Sequence, residues 1–209
     1  MVPSSDSTAK ITGIVLAGGR ATRMSGTDKG LISLAGRPMI AHVLEALAPQ
    51  VEGILISANR NQDRYAAFGY PVVADDDPRF LGPLAGLVSG LRICRTSLVL
   101  TVPCDSPLVT PILAERLREA LENEGTEVAV AFDGNSLQPV FMLLQRRLLR
   151  SLETFLDSGG RKIGDWLGQH RVAKADLTDC SETFINVNDP ADHEALEARL
   201  LAGAATVSR

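Results

Sequence analysis

Apolar residues in this chain gather in short runs, and helically spaced segments separate them. Ile11 to Leu16 is a short apolar run that ends on glycines, which predicts a buried strand. Gly53 to Ala58, built around Ile54-Leu55-Ile56, predicts a second strand, Val72 to Ala74 a short third and Ser97 to Val102 a fourth. Val128 to Phe132 and Val140 to Leu143 read the same way, on either side of a polar turn from Asp133 to Ser136. Between the strands, apolar positions recur three and four apart. Ile40, Val43, Leu44 and Leu47 mark a helix from Met39 to Ala48, opened by Pro38. Further helices are expected over Arg64 to Phe68, Leu84 to Ile93, Arg146 to Leu156, Ile163 to Gly168 and Pro190 to Leu200. One more is expected over Pro111 to Glu122, with Thr110 as its cap.

Strand and helix alternate, so the expected fold is α/β: a single-domain, Rossmann-like three-layer sandwich with a mainly parallel sheet covered on both faces. Right-handed crossovers place the C-terminal ends of such strands along one rim, where ligands bind. The residues that follow Leu16, Ile56, Ala74 and Val102 are therefore expected to meet.

Composition narrows the partners. The 209 residues are 45% hydrophobic and 22% charged, with a net charge of −4, which favours neither a nucleic-acid nor a membrane surface. The start is polar and no apolar run is long enough to cross a bilayer, so the protein reads as cytoplasmic. Cys94, Cys104 and Cys180 are odd in number and form no Cys-x-x-Cys pair, which argues against a disulfide framework or a zinc site.

The richest chemistry follows the first strand. Leu16-Ala17-Gly18-Gly19 leads through Arg20 and Arg23-Met24 to Thr27-Asp28-Lys29-Gly30. Adjacent glycines let backbone N–H groups approach a ligand, and the neighbouring cations suit polyphosphate. The spacing fits neither a P-loop nor the Gly-x-Gly-x-x-Gly dinucleotide fingerprint. A second signal is Val102-Pro103-Cys104-Asp105-Ser106-Pro107, where an acid follows an apolar strand directly. Such a carboxylate can hold Mg²⁺ bound to substrate phosphates, although it could also serve only a turn. Asp75-Asp76-Asp77 reads by itself as a solvated turn, and Gly82-Pro83-Leu84-Ala85-Gly86 as a helix start. His42, His170 and His193 fall inside no motif.

Leu16-Ala17-Gly18-Gly19, Arg23-Met24 and Asp28-Lys29-Gly30 together resemble the signature loop of nucleotidyltransferases, and the double glycine resembles the molybdenum cofactor guanylyltransferases. The resemblance extends roughly from Ile11 to Leu200. It implies a nucleotide-diphospho-sugar transferase-like fold and transfer of GMP from GTP to molybdopterin or its molybdenum-loaded form, with release of pyrophosphate. It further implies Arg23, Lys29 and Asp105 as catalytic groups, with Mg²⁺ on Asp105. GTP would be held by Leu16, Ala17, Gly18, Gly19, Lys29, Ser57, Asp75, Gly82, Gly86 and Asp105, Ser57 standing where relatives often have Asn. The acceptor would meet Asn186 and Asn188 of the closing Asn-Val-Asn motif, together with Gln138, Arg161 and Lys162. On this reading residues 1–10 form a flexible tail, 11–201 the nucleotidyltransferase domain, GTP-binding in its first half and acceptor-binding in its second, and 202–209 a second tail. Contact with cofactor-insertion or molybdoenzyme-maturation proteins goes with it. The alternatives are a cytidylyltransferase of the same cofactor, a sugar-phosphate nucleotidyltransferase, and a non-catalytic nucleotide sensor or adaptor on the same fold.

Overall fold

The computed structural model describes residues 9–17, 28–75 and 82–207. In chain order the elements are β1 (Ile11–Leu16), β2 (Ser33–Leu34), β3 (Arg37–Pro38), α1 (Met39–Leu47), β4 (Gly53–Ser57), α2 (Gln62–Ala66), β5 (Val72–Val73) and α3 (Pro83–Ile93). Then come β6 (Leu98–Pro103), α4 (Leu113–Glu124), β7 (Val128–Phe132), β8 (Leu137–Gln145), α5 (Leu149–Asp157), α6 (Ile163–Leu167), β9 (Val172–Asp176) and α7 (Pro190–Val207). Seven strands make one sheet in the order β5-β4-β1-β6-β8-β7-β9. In this sheet, among the described residues, only β8 runs antiparallel to its neighbours, while β4, β5 and β6 extend parallel from β1, and β9 lies parallel to β7.

Period-two alternation along the central strands sends side chains into two separate cores. Val15, Leu100, Val102, Ala129 and Leu143 pack with Ile40, Val43 and Leu47 of α1 and Leu113 and Leu117 of α4. Ile14, Val99, Val130 and Met142 point the other way, onto Leu84, Leu87 and Leu91 of α3, Leu152 and Phe155 of α5 and Trp166 of α6. This is the expected three-layer sandwich, and central strands covered on both faces explain why their sequences are continuous apolar runs. Reversal of β8 leaves the polarity of the sheet intact. The exit ends of β5, β4, β1, β6, β7 and β9 share one rim with the entry end of β8.

A smaller cluster of Leu34, Met39, Val187 and Leu196 fixes α7 on the β2–β3 hairpin, whose tip, Ala35-Gly36, has positive φ at both residues. Glu197 accepts the Ala35 N–H at 2.7 Å, and His193 Nε2 donates to the Ser33 carbonyl at 2.6 Å. Helix α7 is thereby tied to the segment that follows Lys29.

The structure departs from the expected elements in several places, among them α7, which runs on to Val207 where a helix ending at Leu200 was expected. Thr110 does not cap α4: its N–H donates to Thr183 Oγ1 at 3.1 Å and its hydroxyl donates to Cys180 Sγ at 3.7 Å, so the turn formed by Thr178–Phe184 has claimed it. Helix α4 starts later, at Leu113, with Ile112 in the cap position and no side-chain cap. Strand β8 is longer than expected and includes Gln138 and Pro139. Neither β9 nor the β2–β3 hairpin was expected. β9 buries only Ala173 and Ala175 while Lys174 and Asp176 face solvent, too little apolar surface to stand out as a run. Among the described residues no helix is long and apolar enough to cross a membrane.

Helix α3 crosses the sheet at Gly90, where an added Cβ would fall inside the van der Waals envelope of the fully buried Ile14 and within 3.2 Å of its Cγ1. Gly90→Val is expected to lower stability by about 1–3 kcal/mol through overpacking, read as a lower urea midpoint.

Candidate active site

The rim is built first from backbone. Ala17 N–H donates to Ser57 O at 2.8 Å, Cys104 N–H to Leu16 O at 3.1 Å and Ala58 N–H to Val73 O at 2.9 Å, so the exits of β1, β4, β5 and β6 are joined side by side. Asp105 leaves β6 at this point. Its carbonyl accepts the Val187 N–H at 3.0 Å, and the buried Ser106 hydroxyl donates to Asn186 Oδ1, which docks the Asn-Val-Asn segment along the β6 exit. Asn188 is oriented in turn by its own N–H, which donates to Asp192 Oδ2 at 3.0 Å in the first turn of α7.

Lys29 closes the arrangement. It sits in a 3-10 turn, Lys29–Leu31, and its ammonium lies 3.1 Å from Asp105 Oδ2 and 2.8 Å from Asn188 Oδ1. The Lys29 and Asp105 side chains keep 25% and 19% of their exposure, enough to be reached from solvent. Gly30 is needed in this turn: a Cβ there would lie 2.8 Å from the Tyr65 hydroxyl and 3.1 Å from Cys104 Sγ. Burial pushes the Tyr65 hydroxyl and the Cys104 thiol well above their ordinary pKa values, with the nearby acidic groups adding to the shift. Both remain protonated, so Cys104 is a core residue and not a nucleophile.

Asp75 is held by a reciprocal pair. Asn59 Nδ2 donates to Asp75 Oδ2 at 2.7 Å, and the Asp75 N–H donates to Asn59 Oδ1 at 2.7 Å. Ser57 is buried at the end of β4 beneath α3, and a Cβ on Gly86 would lie 3.2 Å from Ser57 Cβ and 3.4 Å from Leu16 Cδ2. The close approach of α3 to β4 therefore favours glycine at 86, where a Cβ would also overlap the Ser57 hydroxyl. Gly82 opens α3 at φ 76° and ψ −159°, a region that side-chain-bearing residues avoid.

The structure brings Lys29, Asp105, Asn186 and Asn188 into one bonded group, with Leu16, Ala17, Ser57 and Asp75 on the same rim. Gly18, Gly19 and Arg23 lie outside the described residues, as do Asp76 and Asp77. Gln138 stands at the entry end of β8, where its amide donates to Asp133 Oδ2 at 2.6 Å. The Asp133 carboxyl is held below its usual range by the backbone N–H groups of Ser136 and Asn135. Arg161 folds back on α5, donating to the carbonyls of Leu156 at 2.7 Å and Gly160 at 2.5 Å, and Lys162 provides the entry to α6. Among the described residues no hydrogen bond joins Gln138, Arg161 or Lys162 to the Lys29 group. The histidines serve structure: His42 meets the Leu34 carbonyl, His170 meets Ser151 and His193 meets Ser33. Asn59, Asn61 and Tyr65, which sequence reasoning left out, hold the acidic residues of the site from behind.

Among the described residues no three His, Cys, Asp or Glu side chains cluster as a metal cage. Asp105 is a single hard-oxygen donor at the rim. That suits a Mg²⁺ ion delivered on substrate phosphates, which takes only one or two protein carboxylates.

Known proteins resemble this chain in sequence and in fold. Residues 13–174 match the family described as MobA-like NTP transferase domain. A molybdenum cofactor guanylyltransferase of Shewanella sediminis is 47% identical over 187 residues, 90% of this chain and 95% of the relative. A protein of the same name from Shewanella sp. strain ANA-3 is 47% identical over 191 residues, covering 91% and 97%. In fold, the crystal structure of molybdopterin-guanine dinucleotide biosynthesis protein A from Archaeoglobus fulgidus superposes with a TM-score of 0.76 at 22% identity, covering 91% of this chain and 99% of that one.

Asn59→Ala removes both of the bonds that Asn59 makes with Asp75. The expected cost is about 1–3 kcal/mol, measured as a drop in unfolding free energy in urea.

Proposed function

This chain belongs to the MobA-like NTP transferase family, and on that footing we propose that it moves GMP from GTP to the terminal phosphate of molybdopterin or its molybdenum-loaded form, releasing pyrophosphate. The observation that carries the reading is the Lys29 ammonium held between Asp105 and Asn188 at the sheet rim. One cation and one carboxylate, each from a motif at a strand exit, face the same space. The names of the 47% identical relatives favour guanine over cytosine.

A phosphate monoester has a second pKa of about 6, so the acceptor is already largely ionised at neutral pH and attacks without a general base. This agrees with a rim group that contains no histidine and with the protonated state of Tyr65 and Cys104. The barrier is repulsion between two anions, about 4 kcal/mol per pair of unit charges at 4 Å in an intermediate dielectric. The protein therefore needs positive charge and positioning more than proton transfer. Lys29 supplies a cation to the triphosphate, and Arg23 is assigned to the same task. Asp105 would hold Mg²⁺, which when bound supplies Lewis-acid neutralisation of the phosphate oxygens. Leu16, Ala17, Gly18, Gly19, Ser57, Asp75, Gly82 and Gly86 are assigned to the nucleotide. Asn186 and Asn188 face the acceptor side, with Gln138, Arg161 and Lys162 assigned beside them.

Pyrophosphate release by the purified protein is expected to require both GTP and molybdopterin. Equal release with CTP, or nucleotide binding with no release, would overturn the reading. Lys29→Ala and Asp105→Ala are each expected to lower the rate by about a hundredfold or more while far-UV circular dichroism stays unchanged. Near-normal turnover in either variant would remove that residue from the mechanism.

A further inference from the structure

The Lys29 side chain is long and flexible, so the position of its ammonium depends on what fixes the turn beneath it. That turn lies outside the sheet. Its anchor is the Asp28 carboxylate, buried at 9% exposure, which accepts the Tyr65 hydroxyl at 2.5 Å on Oδ1 and the Asn61 amide at 3.2 Å on Oδ2. Tyr65 is fully buried in α2. Asn61 precedes α2 in the left-handed region, at φ 52° and ψ 31°, and its carbonyl accepts the Tyr65 N–H at 3.1 Å, so the two donors move as one unit. Gly30 leaves room for the same Tyr65 hydroxyl, and for Cys104, to close on the turn.

Burial of a carboxylate with polar partners adds little to stability compared with apolar packing of the same volume. What it does give is direction, because two donors at fixed angles hold the carboxylate in a single orientation. We propose that Tyr65 and Asn61 are positioning residues for nucleotidyl transfer: they clamp Asp28, and through it they aim Lys29 into the space it shares with Asp105. The proposal rests on the reading of Lys29 given above. Burial keeps the Tyr65 hydroxyl protonated, so it remains a donor throughout the neutral range.

The test uses the full chain and the variants Tyr65→Phe, Asp28→Asn and their combination. Pyrophosphate release is measured together with amide hydrogen exchange. Tyr65→Phe is expected to lower kcat at least tenfold with less than a threefold change in KM for GTP. Exchange at Leu31 and Ile32, whose N–H groups close the turn onto Asp28 and Lys29, should rise while the sheet keeps its protection. Because Tyr65 acts through Asp28, the double variant should be no slower than the slower single one. Wild-type kcat in Tyr65→Phe, losses that multiply in the double variant, or raised exchange across the whole sheet would each overturn the proposal. If Tyr65→Phe does not fold, Asn61→Ala at the other carboxylate oxygen is measured against the same expectations. If the wild type releases no pyrophosphate, the functional reading fails, and exchange at Leu31 and Ile32 still decides whether Tyr65 holds the turn.

Discussion

The site depends on one ammonium group placed between two oxygen atoms that come from distant parts of the chain. Lys29 follows β1, Asp105 follows β6 and Asn188 precedes α7, yet the three meet within 3.1 Å. None of these contacts can form locally. They require the parallel register of β1 with β6, which brings Leu16 opposite Pro103, and the docking of the Asn-Val-Asn segment by the Val187 N–H on the Asp105 carbonyl. The salt bridge is half-sheltered, so it gains more from Coulomb attraction than a surface pair does and avoids the full desolvation cost of a buried one.

Around this group the fold divides its labour. The sheet and its two apolar cores hold the strand exits rigid, and short polar segments beyond the exits carry the chemistry. The segment from Asn59 to Tyr65 does a third kind of work. It contributes Asn59 to Asp75, and Asn61 with Tyr65 to Asp28, so a few residues after β4 orient acidic groups on two neighbouring connections. Helix α7 performs the same kind of service from the other side, through Glu197 and His193 on the hairpin.

Much of this was legible from sequence where one physical signal dominated. Strands covered on both faces are nearly continuous in apolar residues, so β1, β4, β6 and β7 could be read directly, and parallel topology then predicted that the residues after Leu16, Ile56, Ala74 and Val102 meet at the rim. Lys29 and Asp105 were singled out by the resemblance of their motifs to the nucleotidyltransferase signature, and the structure brings the two side chains within 3.1 Å of each other. Thr110 misled because its capping preference lost to a tertiary partner, Thr183, that local sequence does not reveal. β9 was missed because an edge strand that buries two alanines has a weak apolar signal. Asn61 and Tyr65 were missed for a different reason: they act through Asp28, and a second layer of support has no spacing rule of its own. Gly86 stood out as a glycine, but the structure supplies a packing reason for it in Ser57 and Leu16.

The lone reversed strand has a consequence for how such a scaffold diversifies. Since β8 enters at the rim where its neighbours leave, the turn from Asp133 to Ser136 is a tight hairpin hanging over that edge, braced by Gln138. Lengthening or reshaping this hairpin would remodel one flank of the rim without altering a crossover, the register of β1, β4 and β6, or the lysine turn. The architecture thus separates the joined exits of β1, β4 and β6, where the triphosphate chemistry is expected, from a lip whose length can change without disturbing them.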